Sequence, residues 1–398
     1  MDGARDEPWR TDSFAALLAL AALLACAPSS GPPDGAGEET RAVRIALFNV
    51  QELSAEKLAA GDEQLRVAAE IVRRVDPDVL VLQEIDLPES GPLEAHAERF
   101  RDEYLELPYP HVFVASSNTG LLTGLDLDGD EVAATAAERG DRAHGDDSFG
   151  FGVYPGQYAM AVLSRVPFDR AATRTFQRFL WKDLPGNQLP AGFYPPGAID
   201  ILRLSSKSHW DLPLRLDGRT LHLLVSHPTP PAFDGPEDRN GRRNFDEVGF
   251  WAAYLDGEPA LYDDQGRSGG LEPGASFVIA GDLNARPDGE EPRYVGRSGR
   301  ETTAIAQLLE RGDVQDPGPL LTSSGALGGR QPGPPEHKER STAEFLDGAR
   351  VDYILPSRDL EVTGGGVFWP SAEEDPEGAR LADLASDHRL VWLDLRMR

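Results

Sequence analysis

Short polar motifs follow apolar runs along this sequence, and their side chains could bind a cation or move a proton. Carboxylate and amide oxygens suit a hard divalent cation such as Mg²⁺, and an imidazole exchanges protons near neutral pH. Taken singly each motif is weak, because such residues more often form turns, helix caps or solvated loops. The motifs are FNVQE (Asn49, Glu52), LVLQEID (Glu84), LLVSHPTPP (His227), GDLNARPD (Asp282, Asn284), RVDYIL (Asp352) and ASDHRLVWLDL (Asp387, His388).

The runs before these motifs have the patterning of strands and of a helix. Residues 43–50 (VRIALFNV) alternate and are rich in β-formers, which predicts a strand. Residues 55–75 carry apolar side chains at three-, four- and seven-residue steps, which predicts a helix that ends before Pro77. Residues 79–82 (VLVL) are continuously apolar, as in a strand covered on both faces. Further strands are predicted at 159–163, 221–226, 277–280, 351–355 and 390–395. The polar motifs therefore follow strand ends, where a sheet presents catalytic groups.

In their order along the chain, these motifs resemble those of the endonuclease/exonuclease/phosphatase superfamily. This superfamily includes deoxyribonuclease I, exonuclease III, the apurinic endonucleases, neutral sphingomyelinases and inositol-polyphosphate phosphatases. The resemblance runs from about Val43 to the end of the chain, and residues 159–168 (AMAVLSRVPF) resemble the family's middle strand and the turn after it. It implies an α/β fold, a four-layer α-β-β-α sandwich of two mixed sheets. It also implies hydrolysis of a phosphomono- or phosphodiester by metal-activated water.

The resemblance implies a metal site built on the first two strands. Glu84 would be the principal ligand, with Asn49 beside it and Asp387 nearby. The expected cofactor is Mg²⁺ or Mn²⁺, with Ca²⁺ as an alternative. Glu52 could belong to this metal group or lie behind it, and a solvated turn carboxylate fits the sequence equally well.

The resemblance also implies a set of catalytic residues. Asp282 would orient or deprotonate the attacking water, with Asn284 as its hydrogen-bonding neighbour. His388 would bind a non-bridging phosphate oxygen as a charged donor, and Asp352 would hold its imidazole. His227 matches the mid-chain histidine of the deoxyribonuclease I and sphingomyelinase branches, which can protonate the leaving oxygen.

An arginine cluster follows the His227 motif. Residues 237–244 (EDRNGRRN) contain Arg239, Arg242 and Arg243. Guanidinium groups bind phosphate in a bidentate manner, so the cluster could hold a substrate phosphate. An exposed helix start with internal salt bridges explains the same residues equally well.

Two further segments carry chemistry-bearing residues. The alternating aspartates of residues 126–131 (DLDGDE) resemble the start of a calcium loop, but the glycine spacing and the closing glutamate do not fit. A solvated acidic loop is therefore favoured. Residues 206–210 (SKSHW) place Lys207, His209 and Trp210 before a strand, where they could line a pocket, although burial of Trp210 in the core is the simpler interpretation.

The N-terminal segment resembles a bacterial signal peptide. Residues 14–24 (FAALLALAALL) are apolar but too short to span a bilayer, and Cys26, the only cysteine, follows them. We expect residues 1–26 to be a signal peptide with a lipidated Cys26, residues 27–42 a flexible tether and residues 43–398 the catalytic domain. This predicts an extracytoplasmic protein of the bacterial cell envelope. An ordinary buried cysteine after an uncleaved helix is the alternative.

The charge balance bears on the substrate. The chain has 67 acidic against 39 basic residues and a net charge of −28. Such a field repels polyanions, because nucleic-acid affinity depends on cations that neutralise phosphates. We therefore expect the protein to act on a small or lipid-borne phosphoester. We also expect it to be a monomer. A secreted nuclease acting on DNA or RNA is one alternative, and a non-catalytic envelope lipoprotein that binds a ligand is another.

Overall fold

Two β-sheets form the centre of the computed structural model, which describes residues 41–398 apart from 234, 288–290, 329–337 and 346–347. The predicted signal peptide, Cys26 and most of the predicted tether lie outside the described residues. The strands are β1 Val43–Leu53, β2 Val79–Ile85, β3 His111–Phe113, β4 Ala159–Ser164, β5 Arg174–Thr175, β6 His209–Leu216, β7 Arg219–Ser226, β8 Ser276–Asp282, β9 Tyr294–Val295, β10 Glu301–Thr302, β11 Asp352–Pro356, β12 Leu360–Val367 and β13 Val391–Met397.

Short and long helices connect these strands. The α-helices of the described residues are α1 Ala55–Ala60, α2 Glu63–Val75, α3 Ala95–Phe100, α4 Arg142–Asp146, α5 Arg239–Leu255, α6 Ala306–Leu309, α7 Gly325–Gly328 and α8 Pro376–Ala385. A π-helical turn covers Arg101–Leu105, and 3₁₀ turns cover Ala136–Glu138, Trp181–Asp183 and Ala198–Asp200. No helix in the described part of the chain is long and apolar enough to cross a membrane.

The two sheets share one pattern of strand pairing. Sheet I has the order β12-β13-β1-β2-β4-β3, and sheet II has the order β11-β8-β7-β6-β5. In sheet I, β1 is parallel to β2 and antiparallel to β13. In sheet II, β8 is parallel to β7 and antiparallel to β11. Each sheet thus contains one parallel pair, and in each pair both strands end at the same edge of the sheet.

Alternation along the strands explains why the sheets pack face to face. In β1, Ile45 and Leu47 point into the space between the sheets, whereas Ala46 and Phe48 face the helices α2 and α8. Successive side chains of a strand leave opposite faces, so a strand with apolar residues at every position is covered on both sides. Residues of sheet II contribute to the same inter-sheet core, among them Trp210 of β6. Helix α5 covers the outer face of sheet II. The predicted four-layer α-β-β-α sandwich is therefore confirmed.

The helix predicted over residues 55–75 is divided in two. Gly61 ends α1 with a left-handed φ of 62°, a conformation that glycine adopts without strain. Asp62 then caps α2 by accepting a hydrogen bond from the backbone of Gln64. The apolar spacing continues across this break, because α1 and α2 bury Leu58 and Leu65 in the same core.

Candidate active site

Residues from both sheets meet where the parallel strand pairs end. Asn49 of β1 lies beside Gln83 of β2 in the parallel register. The Asn49 amide donates to Glu84 Oε1 at 3.0 Å and to Asp282 Oδ2, on sheet II, at 3.3 Å. Gln83 is buried between the sheets, where it accepts from the Asp282 backbone at 2.8 Å and donates to the Ser226 carbonyl at 2.8 Å. These bonds fix the ends of the two sheets against each other.

Two imidazoles approach one carboxylate oxygen. Asp282 Oδ2 lies 3.4 Å from His227 Nε2 and 3.6 Å from His388 Nε2. His388 Nδ1 bonds to Asp352 Oδ2 at 2.9 Å, and Asp352 is the register partner of Asp282 across β11 and β8. Ser386 anchors this loop, because its hydroxyl donates to the Asn49 carbonyl and accepts from the His388 backbone. The structure therefore brings together six of the predicted residues: Asn49, Glu84, His227, Asp282, Asp352 and His388.

Burial and charge set the protonation of this group. Burial opposes a charge on His388, but the carboxylates of Asp352 and Asp282 outweigh it and raise the pKa of His388 to about 10. Burial would likewise raise the pKa of Asp282, but the positive charge of His388 and the hydrogen bond of His227 lower it to about 2. At neutral pH the site therefore holds an ionised Asp282 next to an imidazolium.

Left-handed backbone conformations are concentrated at these strand ends. Gln51, Glu52, Glu84 and Asn284 have φ values of 47°, 68°, 61° and 49°. Such conformations cost a non-glycine residue of order 1–3 kcal/mol and recur at functional sites. In the last case the turn is fixed by two bonds, from the Asn284 backbone to Asp282 Oδ1 and from the Asn284 amide to the Pro228 carbonyl.

The predicted metal residues differ in exposure, and Asn49 is fully buried. Glu84 and Asp387 are half-buried, and the Asp387 backbone donates to the side chain of Gln51. The Asn49 amide oxygen is bonded to the Gln51 backbone, so Asn49 offers its NH₂ group rather than its oxygen to Glu84. Its role as a metal ligand stays a prediction. Ligand atoms of Asp282, Asp352 and His388 in the catalytic group also lie within 4.8 Å of one another, but a protonated His388 offers no lone pair to an ion.

Glu52 lies close to Asp86, a carboxylate that the sequence analysis did not single out. The Tyr154 hydroxyl lies 3.1 Å from Glu52 Oε1 and 2.8 Å from Asp86 Oδ2, so the two carboxylates share its one proton, and Gln157 also donates to Glu52. Burial and the charges of Glu52 and Glu84 raise the pKa of Asp86 to about 6, against the hydrogen bond of Tyr154. The sequence could have pointed to Asp86, because it lies two residues after Glu84 in the same motif.

The arginine cluster lies at the start of α5, and its members have different surroundings. Arg243 donates to the backbone carbonyls of Leu204, Phe149 and Arg203, so its guanidinium ties loop segments to the helix. Arg242 donates to one carbonyl and lies over the Tyr294 ring. Arg239 is half-buried over the ring of Phe193 and donates to the Leu127 carbonyl. Phosphate binding by the three arginines stays a prediction.

The two remaining segments are also placed. The carboxylates of Asp126, Asp128 and Asp130 lie within 4.8 Å of one another, and Asp126 accepts from two amides of its own loop. Trp210 is buried in the inter-sheet core, as the simpler interpretation had it. His209 is buried too, and burial lowers its pKa to about 4.

A cavity of about 400 Å³ lies beside the site rather than over it. The Leu87 backbone, three residues beyond Glu84, donates to the Gly156 carbonyl in its wall. The lining includes Arg139, Arg178 and Arg203 but none of the predicted catalytic or metal residues.

Comparisons with known proteins bear on the family and the fold. A model of the Endonuclease/Exonuclease/phosphatase family matches residues 46–388. The endonuclease/exonuclease/phosphatase from Beutenbergia cavernae DSM 12333 is similar in structure, with a TM-score of 0.51 and 18% identity over 90% of this chain and 72% of that one. A family protein from Leptotrichia buccalis C-1013-b has a TM-score of 0.49 and 12% identity over 89% of this chain and 100% of that one. None of the curated proteins matches the sequence.

The likeness to the Beutenbergia cavernae protein shows the fold alone, because the identity is 18%. The family match is of a different kind, since it extends over most of the chain and includes every motif from Asn49 to His388. The chain therefore belongs to the endonuclease/exonuclease/phosphatase family, whose members are divalent-metal-dependent hydrolases of phosphoester bonds.

Proposed function

We propose that this hydrolase cleaves a small or lipid-borne phosphomono- or phosphodiester outside the cytoplasm, with Mg²⁺ or Mn²⁺ as its cofactor. The observation that supports this most is the placement of Asp282 Oδ2 between two imidazoles, 3.4 Å from His227 and 3.6 Å from His388. A carboxylate and two imidazoles that face one point can act on the attacking water, on a non-bridging phosphate oxygen and on the leaving oxygen.

The protein groups divide the chemistry between them. Asp282 accepts a hydrogen bond from the attacking water and orients it, helped by the hydrogen bond from the Asn284 backbone. His388, held charged by Asp352, donates to a non-bridging phosphate oxygen. His227 faces the same point with Nε2, 3.4 Å from Asp282 Oδ2, and the leaving oxygen takes its proton from this imidazole.

The donor set around Glu84 fits a hard divalent cation. Glu84 has no ion-pair partner among the described residues, and its contact there is the amide of Asn49. Glu52 and Asp86 add negative charge nearby, as the raised pKa of Asp86 shows. Glu84, Asn49 and Asp387 would hold the cation, which supplies charge neutralisation for the phosphate and the leaving oxygen.

The substrate class rests on charge. With a net charge of −28, the protein is repelled from long polyanions. The guanidinium of Arg243, in the basic segment proposed to bind phosphate, is engaged by three backbone carbonyls. This supports a small or lipid-borne substrate over duplex nucleic acid. Lipidation at Cys26 would place the enzyme at a membrane surface, where a phospholipid headgroup is within reach.

A substrate panel tests the proposal. Bis(p-nitrophenyl) phosphate, p-nitrophenyl phosphate, phospholipid vesicles and plasmid DNA are each incubated with EDTA and then with excess Mg²⁺ or Mn²⁺. We expect no hydrolysis in EDTA, recovery with metal, and lower specificity constants for the plasmid than for the small or lipid substrates. Full turnover in excess chelator would refute the metal mechanism. Fast plasmid cleavage that falls steeply with salt would instead support the nuclease.

Two variants test the residues. Glu84→Gln and Asp282→Asn should each lower kcat by about a hundredfold or more, the scale of acid–base and electrostatic terms. Glu272→Gln is the matched control, because Glu272 is exposed and its side chain has no partner among the described residues. Near-normal kcat in a folded Asp282→Asn protein would show that the roles are assigned wrongly.

A further inference from the structure

Lys207 is a buried lysine next to the catalytic group, and the mechanism above does not use it. Only 7% of its surface is exposed. Its backbone carbonyl accepts a hydrogen bond from the backbone N–H of Asn118 at 2.9 Å, which fixes the segment before β6. The preceding residue, Ser206, contacts the His227 carbonyl through its hydroxyl at 3.4 Å. Lys207 therefore lies at the sheet edge that carries His227.

Glu247 closes the connection between Lys207 and the site. It accepts the Ser206 amide at one carboxylate oxygen and the Thr229 amide at the other, both at 2.6 Å. The segment of Lys207 is thereby joined to residues 227–229, and the Asn284 amide binds Pro228 in the same segment. Lys207 thus belongs to the wall of the site and is not a remote core residue.

The Lys207 ammonium has no hydrogen-bond partner and no carboxylate within 4.0 Å among the residues that the structure describes. Burial lowers its pKa, and the charges of Glu247, Glu84 and Asp282 oppose this effect without contacting the ammonium. A buried cation without a direct partner is costly and is rarely kept for stability alone. His388 differs in this respect, because its charge is matched by Asp352 at 2.9 Å and by Asp282 at 3.6 Å.

We propose that Lys207 binds a non-bridging oxygen of the substrate phosphate, as a second protein cation beside His388. The ligand is the phosphate group itself, which supplies the negative charge that Lys207 lacks. This role rests on the proposed phosphoesterase function and adds to it a residue that fixes substrate affinity. A lysine that only supports the fold near Glu247 is the alternative.

The test compares Lys207→Met, which keeps the length of the side chain without its charge, with Lys207→Arg, which keeps the charge. The control is Lys182→Met, because Lys182 is paired with Asp200 on the surface. Each protein is assayed for KM and kcat on bis(p-nitrophenyl) phosphate and for affinity to inorganic phosphate by calorimetry. Thermal unfolding is measured with and without phosphate.

We expect Lys207→Met to raise KM and weaken phosphate binding by about tenfold or more, the usual scale of a hydrogen bond to a charged group. Lys207→Arg should recover much of this loss, and Lys182→Met should match the wild type. The Tm of Lys207→Met without phosphate should equal or exceed that of the wild type, because the variant removes an unpaired buried charge.

Two results would overturn the inference. The first is a folded Lys207→Met protein with wild-type KM and phosphate affinity. The second is a lower Tm for Lys207→Met with its affinity for phosphate intact, which would assign Lys207 to the fold. If the wild type hydrolyses no phosphoester with any metal, the proposed function fails, whereas phosphate calorimetry still decides the role of Lys207.

Discussion

Replacing Asp352 with asparagine changes the charge on His388 while keeping an acceptor next to it. Asp352 Oδ2 lies 2.9 Å from His388 Nδ1, and the asparagine oxygen can occupy the same place. The imidazole therefore keeps its orientation and loses the carboxylate that stabilises its protonated form. A hydrogen bond to a charged group contributes about 1.5–3 kcal/mol. If that energy is lost in the transition state, kcat falls by roughly 10- to 150-fold at neutral pH.

The pH profile distinguishes this effect from general damage. The pKa of His388 is raised to about 10 by Asp352 and Asp282, so a mechanism that needs the imidazolium stays active up to about that pH. In Asp352→Asn the alkaline loss of kcat should begin closer to neutral pH. The same linkage acts on stability. A raised histidine pKa stabilises the fold in full below about pH 6.5, and this stabilisation disappears as the pH rises through 10.

Asp263→Asn is the matched control for Asp352→Asn. Asp263 is also a buried aspartate, but it pairs with Arg174 and Arg267 away from the catalytic group. Its replacement should lower Tm and leave the shape of the pH profile unchanged. The reasoning is refuted if Asp352→Asn keeps the wild-type alkaline limit, or if Asp263→Asn shifts that limit equally.

Three further outcomes are expected. Arg243→Ala should destabilise the protein by about 1–3 kcal/mol in urea unfolding, because buried carbonyls lose a charged donor, whereas Arg242→Ala should change it less. Asp246→Asn should stabilise the protein above pH 7 by up to about 4 kcal/mol, and the two proteins should match near pH 3. The reason is that burial raises the pKa of Asp246 from 3.8 to about 7. The protonated Asp246 therefore stabilises the folded protein at low pH, and this stabilisation is lost as the pH rises through 7. Cys26→Ser should leave the protein soluble or unprocessed in detergent partitioning, and an intact N-terminal methionine on the mature native protein would contradict the signal-peptide prediction.

The strands of the parallel pairs could be predicted because they are buried on both faces. Residues 43–50 and 79–82 were predicted as strands and form β1 and β2, which extend three residues further at their ends. β12 was missed, since its Thr-Gly-Gly-Gly run has no alternation and β12 lies at the edge of sheet I. Only the start of helix α5 was considered, as one of two interpretations of residues 237–244. Its length was not predicted, because its buried side extends almost all round and leaves little amphipathic contrast.

Motif order could predict which site residues come together, but not the residues that hold them. Asp282 and His388 stand in recognisable motifs, whereas Gln83 joins the sheets through an amide that resembles any other glutamine in the sequence. Ser386 is similar, because its bond to Asn49 joins residues more than 300 positions apart. The partners of Arg243 are backbone carbonyls, which no sequence pattern identifies.

The position of β13 has a consequence for when the enzyme becomes active. This strand is the last along the chain, yet it lies between β12 and β1 inside sheet I, and His388 directly precedes it. Proteins are synthesised from the N-terminus, so β1 is made long before β13, the strand that pairs with it. Contacts of such long sequence separation form slowly. A chain that has emerged only as far as β12 therefore carries Asn49 and Glu84 without His388, and the site is complete only once β13 has joined sheet I.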